Sequence, residues 1–428
     1  MLSQTAIFGL LAGLLLLGFT ANKMFRRTGV PDLIVLLLVG LLLGPLLRLV
    51  DGTQFQTFTN LLGTFALILI LFESGTELNF AESLKLFPSA IVLTFAGYLL
   101  TFSAVSAAAF LTLHLPLKYA FVVGGVLGCS SSTMIVAALQ QIQPPTTVKV
   151  IMVIDSALGD TLTVLVVGSL VDIADGDPFV SAFVGGFIVR MLISLAIALI
   201  AAYLWSRVSP RISEPRFKSI AVLGVVLAVY SLSRTLGGSG LLGVLILGLA
   251  LGNISYRAMR IEPQELVFHS ELSFLVRSFF FVLLGIEVEL VSWAHIIPVL
   301  AILAGLLISR IVAVRSLALV QRLSSKDLEL IFWMFPRGLV TAVLALKVVQ
   351  KMPQFSYLPA LALTVIVLTN IFLSLVHGGF AQNTSYGCSP TMLHRQIRDC
   401  FKRRNSSQRI CAIYRKNREQ SRDRRNSR

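Results

Sequence analysis

The sequence predicts an all-α polytopic membrane protein of about 13 transmembrane helices, with an inverted repeat and two broken, crossing helices. Three observations predict it. The 428 residues are 56% hydrophobic and 13% charged, whereas soluble domains carry roughly 25% charged residues. Apolar runs of about 20 residues recur along most of the length, each long enough to cross a bilayer as a helix. Two short signatures also recur in the second half of the chain at nearly one offset. A β-barrel is excluded, because segments of about 10 residues with period-two alternation do not occur.

Apolar runs and breakers place the spans at about 5–22, 31–49, 57–73, 88–113, 119–140, 149–172, 179–206, 217–233, 239–252, 268–288, 293–314, 328–350 and 357–378. The first run, Ile7–Thr20, lacks the basic n-region and the cleavage site of a signal peptide, so it reads as a span. The ninth run is short.

Loop charge orients the bundle. With the N-terminus outside, the inward loops hold thirteen Lys/Arg and the outward loops hold four, namely Arg48, Lys118, Arg234 and Lys351. That asymmetry is the positive-inside bias, so the C-terminus is expected in the cytoplasm. The acidic loop with Asp172, Asp175 and Asp177 falls outside.

The net charge of +15 is not a nucleic-acid signature. Residues 380–428 hold thirteen Lys/Arg and three Asp/Glu, which is +10 of the total. Two domains are expected: a transmembrane domain over 1–379 and a basic, disordered cytoplasmic tail over 380–428, near anionic lipid headgroups. The tail holds Cys388, Cys400 and Cys411, and the fourth cysteine, Cys129, lies in a span. Cytoplasmic cysteines read as reduced thiols, and their spacing matches no zinc signature.

The repeat appears in two signatures. Gly40-Leu-Leu-Leu-Gly44 in span two returns as Gly248-Leu-Ala-Leu-Gly252 in span nine, 208 residues on. "LFESGTEL", ending span three, returns as "LLGIEVEL", ending span ten, with Gly75 and Gly285 separated by 210. Gly-x-x-x-Gly by itself marks only close helix packing. A shared offset needs a duplication. Spans two and nine differ by seven, an odd number, so the second copy lies upside down. Inverted repeats are a transporter architecture, with the ion site at the midplane between the copies.

Under that offset, "GCSSSTMIV" (Gly128–Val136) in span five falls on "FPRGLVTAV" (Phe335–Val343) in span twelve. A hydroxyl cluster and a Pro-Arg-Gly interruption are both poor continuous helix. Broken helices survive in a membrane only where protein or water satisfies the freed backbone groups. Their ends bring partial charges of both signs to one depth.

Span six then carries "VIDSALGDTLTVLVV", with Asp155 and Asp160 inside an apolar run. Charge there is expensive and marks function. A dehydrated Na+ takes oxygen ligands. Asp160 offers a carboxylate, Ser156 lies four residues earlier on the same face, and Ser130, Ser131, Ser132 and Thr133 offer neutral oxygens. One carboxylate can hold a proton or a cation but hardly both, and that competition is sufficient for exchange. Asp160 is therefore read as the transporting residue, and the expected metal is Na+ at Asp160 and Ser156. Asp155 is read either as a further ligand or as half of a structural ion pair with Arg337.

At these residues the chain resembles the monovalent cation:proton antiporter superfamily over about residues 5–378. "TGVPDLIVLLLVGLLLGP", "LILILFESGTEL", "GGSGLLGVLILGLALGN" and "SFFFVLLGIEVEL" are similar to its second and third spans and their counterparts in the second half. "IDSALGDT" resembles the sodium/proton exchanger branch. By position, Asp155 matches the structural acid, Ser156 an ion ligand and Asp160 the transporting aspartate. "FWMFPRGLVTAVLAL" resembles that branch's Arg-Gly span, which implies an Asp155–Arg337 pair. "LLISRIVAVRSLAL" supplies Arg310 as a supporting base. The chain departs at Gly159, where the branch has Asn, and at Ser131-Ser132, where it has Thr-Asp. "SSSTMIVAAL" is closer to the potassium-efflux branch. The resemblance implies a homodimer, with dimerisation and core regions interleaved and an elevator-like motion, in the inner (plasma) membrane of a prokaryote.

Glu73 reads as a cap, a salt-bridge partner or part of an access funnel. Arg190 snorkels or faces a polar groove. His114, His269, His295, His377 and His394 sit mostly at span ends. No P-loop, zinc signature or nucleotide fingerprint occurs, so no cofactor is expected beyond the transported Na+ and H+. The expected function is antiport of Na+, with Li+ and K+ as further candidates, against protons, and no enzymatic activity. The alternatives are a potassium-efflux-type antiporter or channel, and a non-transporting scaffold or sensor. The expected partners are the monovalent cations, protons, the bilayer and a second copy of the chain, with no nucleic acid.

Overall fold

A computed structural model describes residues 9–383 with gaps at 10–11, 14, 22, 25–30, 49–51, 78–85, 174–178, 213, 254–262 and 289–291. The expected tail lies outside the described residues from 384 onward. Every regular element among the described residues is helical.

After a helical stretch at 15–21, the order is α1 (Asp32–Leu41, continued by a π-turn Leu42–Leu46), α2 (Gln56–Glu77), α3 (Phe87–Leu113), α4 (Leu117–Val126), α5 (Ser132–Ile142), α6 (Thr146–Val171) and α7 (Phe179–Val208). Then come α8 (Pro215–Thr235), α9 (Gly240–Asn253), α10 (Pro263–Glu287), α11 (Ile296–Val320), α12 (Ser325–Trp333), α13 (Leu339–Lys351) and α14 (Leu358–Asn383). Eight of these helices are long and apolar enough to cross a membrane. The expected second and ninth spans are the shorter α1 and α9. The expected fifth and twelfth spans are each two half-helices, α4–α5 and α12–α13. Pro45 sits in the π-turn that ends α1, where its missing N–H costs no regular hydrogen bond.

The recurring glycines occupy symmetric contacts. A Cβ on Gly40 would fall 2.2 Å from the Val282 carbonyl oxygen, and one on Gly44 would fall 2.4 Å from that of Ile286. Reciprocally, a Cβ on Gly248 would fall 2.5 Å from the Phe72 carbonyl oxygen, and one on Gly252 would fall 2.5 Å from that of Thr76. So the Gly-x-x-x-Gly of each copy packs on the Gly-x-Glu helix end of the other: α1 on α10, and α9 on α2. A two-fold relation between inverted copies requires that exchange.

Residues equivalent by the repeat also meet one another. The Thr101 and Ser309 hydroxyls on α3 and α11 are 3.0 Å apart, at a separation of 208 residues. Arg337 donates to Ser130 at a separation of 207. Such pairs lie where the pseudo-two-fold axis passes.

The tight crossings give a first prediction. Gly285→Ala puts a methyl 2.5 Å from the Leu37 carbonyl oxygen and 2.9 Å from Gly40 Cα, both backbone atoms that cannot rotate away. Overpacking of this kind costs about 1–3 kcal/mol. The melting temperature of the purified protein should fall. Gly224→Ala on α8, with nothing within 4 Å of the added carbon, should leave it unchanged.

Candidate ion-binding site

Each break follows from its residues. In the first, α4 ends at Val126, Gly128 permits close approach, and Ser131 takes an extended conformation (φ −74°, ψ 118°) as N-cap of α5. In the second, Pro336 bars Phe335 from helical geometry, and α13 restarts after Gly338. The breaks cross in contact. The Ser131 backbone N–H donates to the Pro336 carbonyl at 2.7 Å. A Cβ on Gly338 would lie 2.2 Å from Ser131 Oγ, so only glycine lets the two strands approach so closely.

The remaining freed groups are satisfied by α14. Thr369 Oγ1 accepts from the Arg337 N–H at 3.1 Å, and Asn370 Nδ2 donates to the Arg337 carbonyl at 2.7 Å. Sequence reasoning missed both residues. The available signal was an adjacent Thr-Asn pair in an otherwise apolar run. Buried beside the break, these two side chains take up the Arg337 N–H and carbonyl and make the break tolerable inside the bundle.

Asp160 lies against the first break. It is 1% exposed. Ser132 Oγ, in the first turn of α5, donates to its Oδ2 at 2.6 Å, and the Cys129 thiol lies 3.3 Å from Oδ1. The carboxylate therefore faces the N-terminal, electropositive end of a half-helix. Cys129 is a second contact that sequence reasoning missed, because its residue type gave no hint of a role. Ser131 shares a hydrogen bond with Thr133 at 3.1 Å. Ser156 donates to the Val153 carbonyl at 3.1 Å. It lies one turn from Asp160, as the spacing requires, but no hydrogen bond joins the two among the described residues.

The partner expected for Asp155 has to be corrected. Its ion pair is with Arg310 on α11, at 3.4 Å between Nη1 and Oδ2. Arg337 instead donates to Ser130 Oγ at 3.3 Å and to the Phe335 carbonyl at 3.4 Å. The reason lies in the second break. Arg310 donates to the carbonyls of Ile331 and Met334, each at 2.9 Å, where α12 ends and its last carbonyls lose their helical donors. A guanidinium held at that electronegative terminus comes to rest beside Asp155. All three groups are buried: Asp155 is 6%, Arg310 7% and Arg337 3% exposed. A small cavity of about 20 Å³, room for one water, adjoins Asp155, Cys129, Ser130, Arg310 and Arg337.

A larger cavity of about 670 Å³ leads to the site from the side where α2 and α5 end and α1 and α10 begin, the expected cytoplasmic side. Ser132 and Thr133 line its inner end, and Asp32, Glu73 and Glu271 bring carboxyl groups to its walls. Arg277 on α10 is also there, paired with Asp32 at 3.1 Å. Glu73 thus falls in a funnel. On the opposite side, Arg190 pairs with Asp172 at 2.6 Å. No group of three or more His, Cys, Asp or Glu side chains suited to a resident metal occurs among the described residues.

Known proteins resemble this chain in sequence and fold. The chain is 24% identical to Na(+)/H(+) antiporter 1 of Methanocaldococcus jannaschii, over 87% of this chain and 90% of that one. It is 26% identical to the low-affinity Na(+)/H(+) antiporter NhaS1 of Synechocystis, covering 56% of this chain and 48% of that protein. It is 27% identical to the K(+)/H(+) antiporter NhaP of Alkalimonas amylolytica, covering 78% of this chain and 58% of that protein. The chain thus spans about half the length of these last two relatives. A solved structure of the sodium proton antiporter MjNhaP1 from M. jannaschii at pH 8 superposes with a TM-score of 0.75 at 21% identity, over 89% of this chain and 98% of that one. The family model described as "sodium/hydrogen exchanger, transmembrane" matches residues 11–383. The chain belongs to the transmembrane sodium/hydrogen exchanger family.

Proposed function

We propose that this protein is a secondary antiporter exchanging a monovalent cation for a proton at Asp160. The observation that carries the reading is a buried carboxylate at the joint of two broken helices, one hydrogen bond from a residue that lines the funnel. The relatives' names include both Na(+)/H(+) and K(+)/H(+) antiporters, which supports monovalent cation exchange. Na+ is the first candidate, with Ser131, Ser132 and Ser156 as neutral ligands after rotation of their hydroxyls. A K+/H+ reading draws on the serine run that replaces Thr-Asp in the first break.

The mechanism follows from one carboxylate with two competing ligands. Protonated Asp160 is neutral. Loss of the proton to the funnel leaves a carboxylate at a half-helix N-terminus, which admits one cation. Either loaded state is neutral at this residue, so it can change sides without carrying net charge. Arg310 and Asp155 hold the second break in place and stay paired throughout. The moving unit comprises α3–α6 and α11–α13, and the scaffold comprises the tightly packed α1, α2, α9 and α10, with the homodimer formed through the scaffold. Residues 1–379 form this membrane domain, and residues 380–428 are a separate cytoplasmic tail.

The test is exchange in proteoliposomes, with Na+, Li+ and K+ assayed separately against an imposed pH gradient. Proton movement driven by at least one cation is expected. Ionic currents that persist with no proton coupling would reject antiport in favour of a channel. Ser132→Ala removes the 2.6 Å donor to Asp160. A hydrogen bond to a charged group is worth roughly 1.5–3 kcal/mol, so apparent cation affinity at fixed pH should fall about tenfold or more while maximal exchange persists.

A further inference from the structure

A second cavity of about 250 Å³ lies on the face opposite the funnel, bounded by α2, α6, α7, α8, α9 and α13. Val164 and Gly168 of α6 line it. They stand four and eight residues beyond Asp160, about 6 and 12 Å along the helix. For a protein that moves cations, its charge has the wrong sign. Arg190, Arg234, Lys347 and Lys351 face the cavity against one acid, Asp172. Asp172 is already engaged twice, by Arg190 at 2.6 Å and by the Lys351 ammonium. Lys347 and Arg234 then have no acidic partner among the described residues, and both line the one cavity. Lys347 is half-buried, whereas Arg234 is exposed.

Two like charges at one cavity wall, one of them half-buried, are unfavourable unless something negative lies between them. The space is ample for a tetrahedral oxyanion. Neutral hydrogen-bonding groups from Tyr230 and Gln350 adjoin it. We propose that this cavity is an anion-binding site that takes a phosphate group between Lys347 and Arg234. The group is either free inorganic phosphate or the headgroup phosphate of an anionic lipid inserted from the outer face. Both sources present the same chemistry: dispersed negative charge on oxygens that accept from an ammonium and a guanidinium together. An occupant neutralises the two extra cations beside the helix that carries Asp160.

The test is thermal melting of the purified full-length protein without sodium. N-methylglucamine phosphate is compared with N-methylglucamine chloride at equal ionic strength, and added phosphatidylglycerol with added phosphatidylcholine. Ligand that binds only the folded state raises the melting temperature with saturation. The wild type should show a saturable rise with phosphate, with phosphatidylglycerol or with both, and the responding arm identifies the source. Lys347→Gln and Arg234→Gln should each abolish the rise, and Lys347→Arg should keep it. Arg234 is exposed, so its variant keeps the test open if Lys347→Gln fails to fold. Equal rises in phosphate and chloride would reduce the effect to screening and overturn the site. So would no rise in either arm, or a rise that survives both substitutions.

Discussion

Asp160→Asn is expected to abolish cation–proton exchange while leaving a folded protein. The substitution keeps the size of the side chain and its contact with Ser132, now 2.6 Å from Oδ2, but removes the one charge that a proton and a cation contest. Stability should not fall, because a neutral amide at a buried site avoids the desolvation cost of a carboxylate. Sodium-driven proton movement in liposomes should drop to the level of empty vesicles. Asp160→Glu retains a charge on a longer arm and should retain some exchange with altered apparent affinity. In the wild type, protons and cations compete, so apparent cation affinity should fall as pH drops. Rates should also not respond to an imposed membrane potential, since one charge leaves for each one that enters. Normal exchange by Asp160→Asn would refute the assignment. Rates that follow the potential would require a second titrating group, with Asp155 the first to test.

The architecture was legible because repeat and composition constrain it at long range. Gly40 and Gly248, with Gly75 and Gly285, announced a duplication, and the odd difference of seven in span number announced its inversion. The structure uses those same glycines as the reciprocal contacts of α1 with α10 and α9 with α2. The breaks were legible for a local reason. Pro336 and the Gly128–Ser131 run interrupt the helix, and the helices stop there. Placing Asp160 beside the first break needed both facts together.

The side chains that support the site were not legible. Thr369 and Asn370 lie in the last long helix, far along the chain, and a Thr-Asn pair in an apolar run carries no address. Cys129 looked like an ordinary buried small residue. Repeat equivalence did place Arg337 at the crossing, where it meets Ser130. It did not show where the guanidinium of Arg310 would go. That is decided by carbonyls orphaned at the end of α12, a feature of three-dimensional geometry that no spacing along the chain encodes.

That arrangement makes Asp155 and Arg310 the pair whose loss should cost the most stability. Removing one partner of a buried ion pair leaves an uncompensated charge and typically costs about 3–5 kcal/mol. Arg310→Ala should be the worse of the two. It strands Asp155 and also withdraws two 2.9 Å hydrogen bonds from the Ile331 and Met334 carbonyls. Asp155→Ala strands the guanidinium but leaves it those two acceptors. The double variant removes both charges, so its loss should be well below the sum of the single losses, by a coupling within the usual range of about 0.5–3 kcal/mol for contacting residues. Asp155→Ala combined with Arg337→Ala should come closer to additivity, because Arg337 spends its hydrogen bonds on Ser130 and Phe335. Chemical denaturation or thermal melting of the three single and two double variants and the parent decides the matter. A large coupling with Arg337 and none with Arg310 would mean that Asp155 changes partner in solution and that the pair drawn from the geometry is wrong.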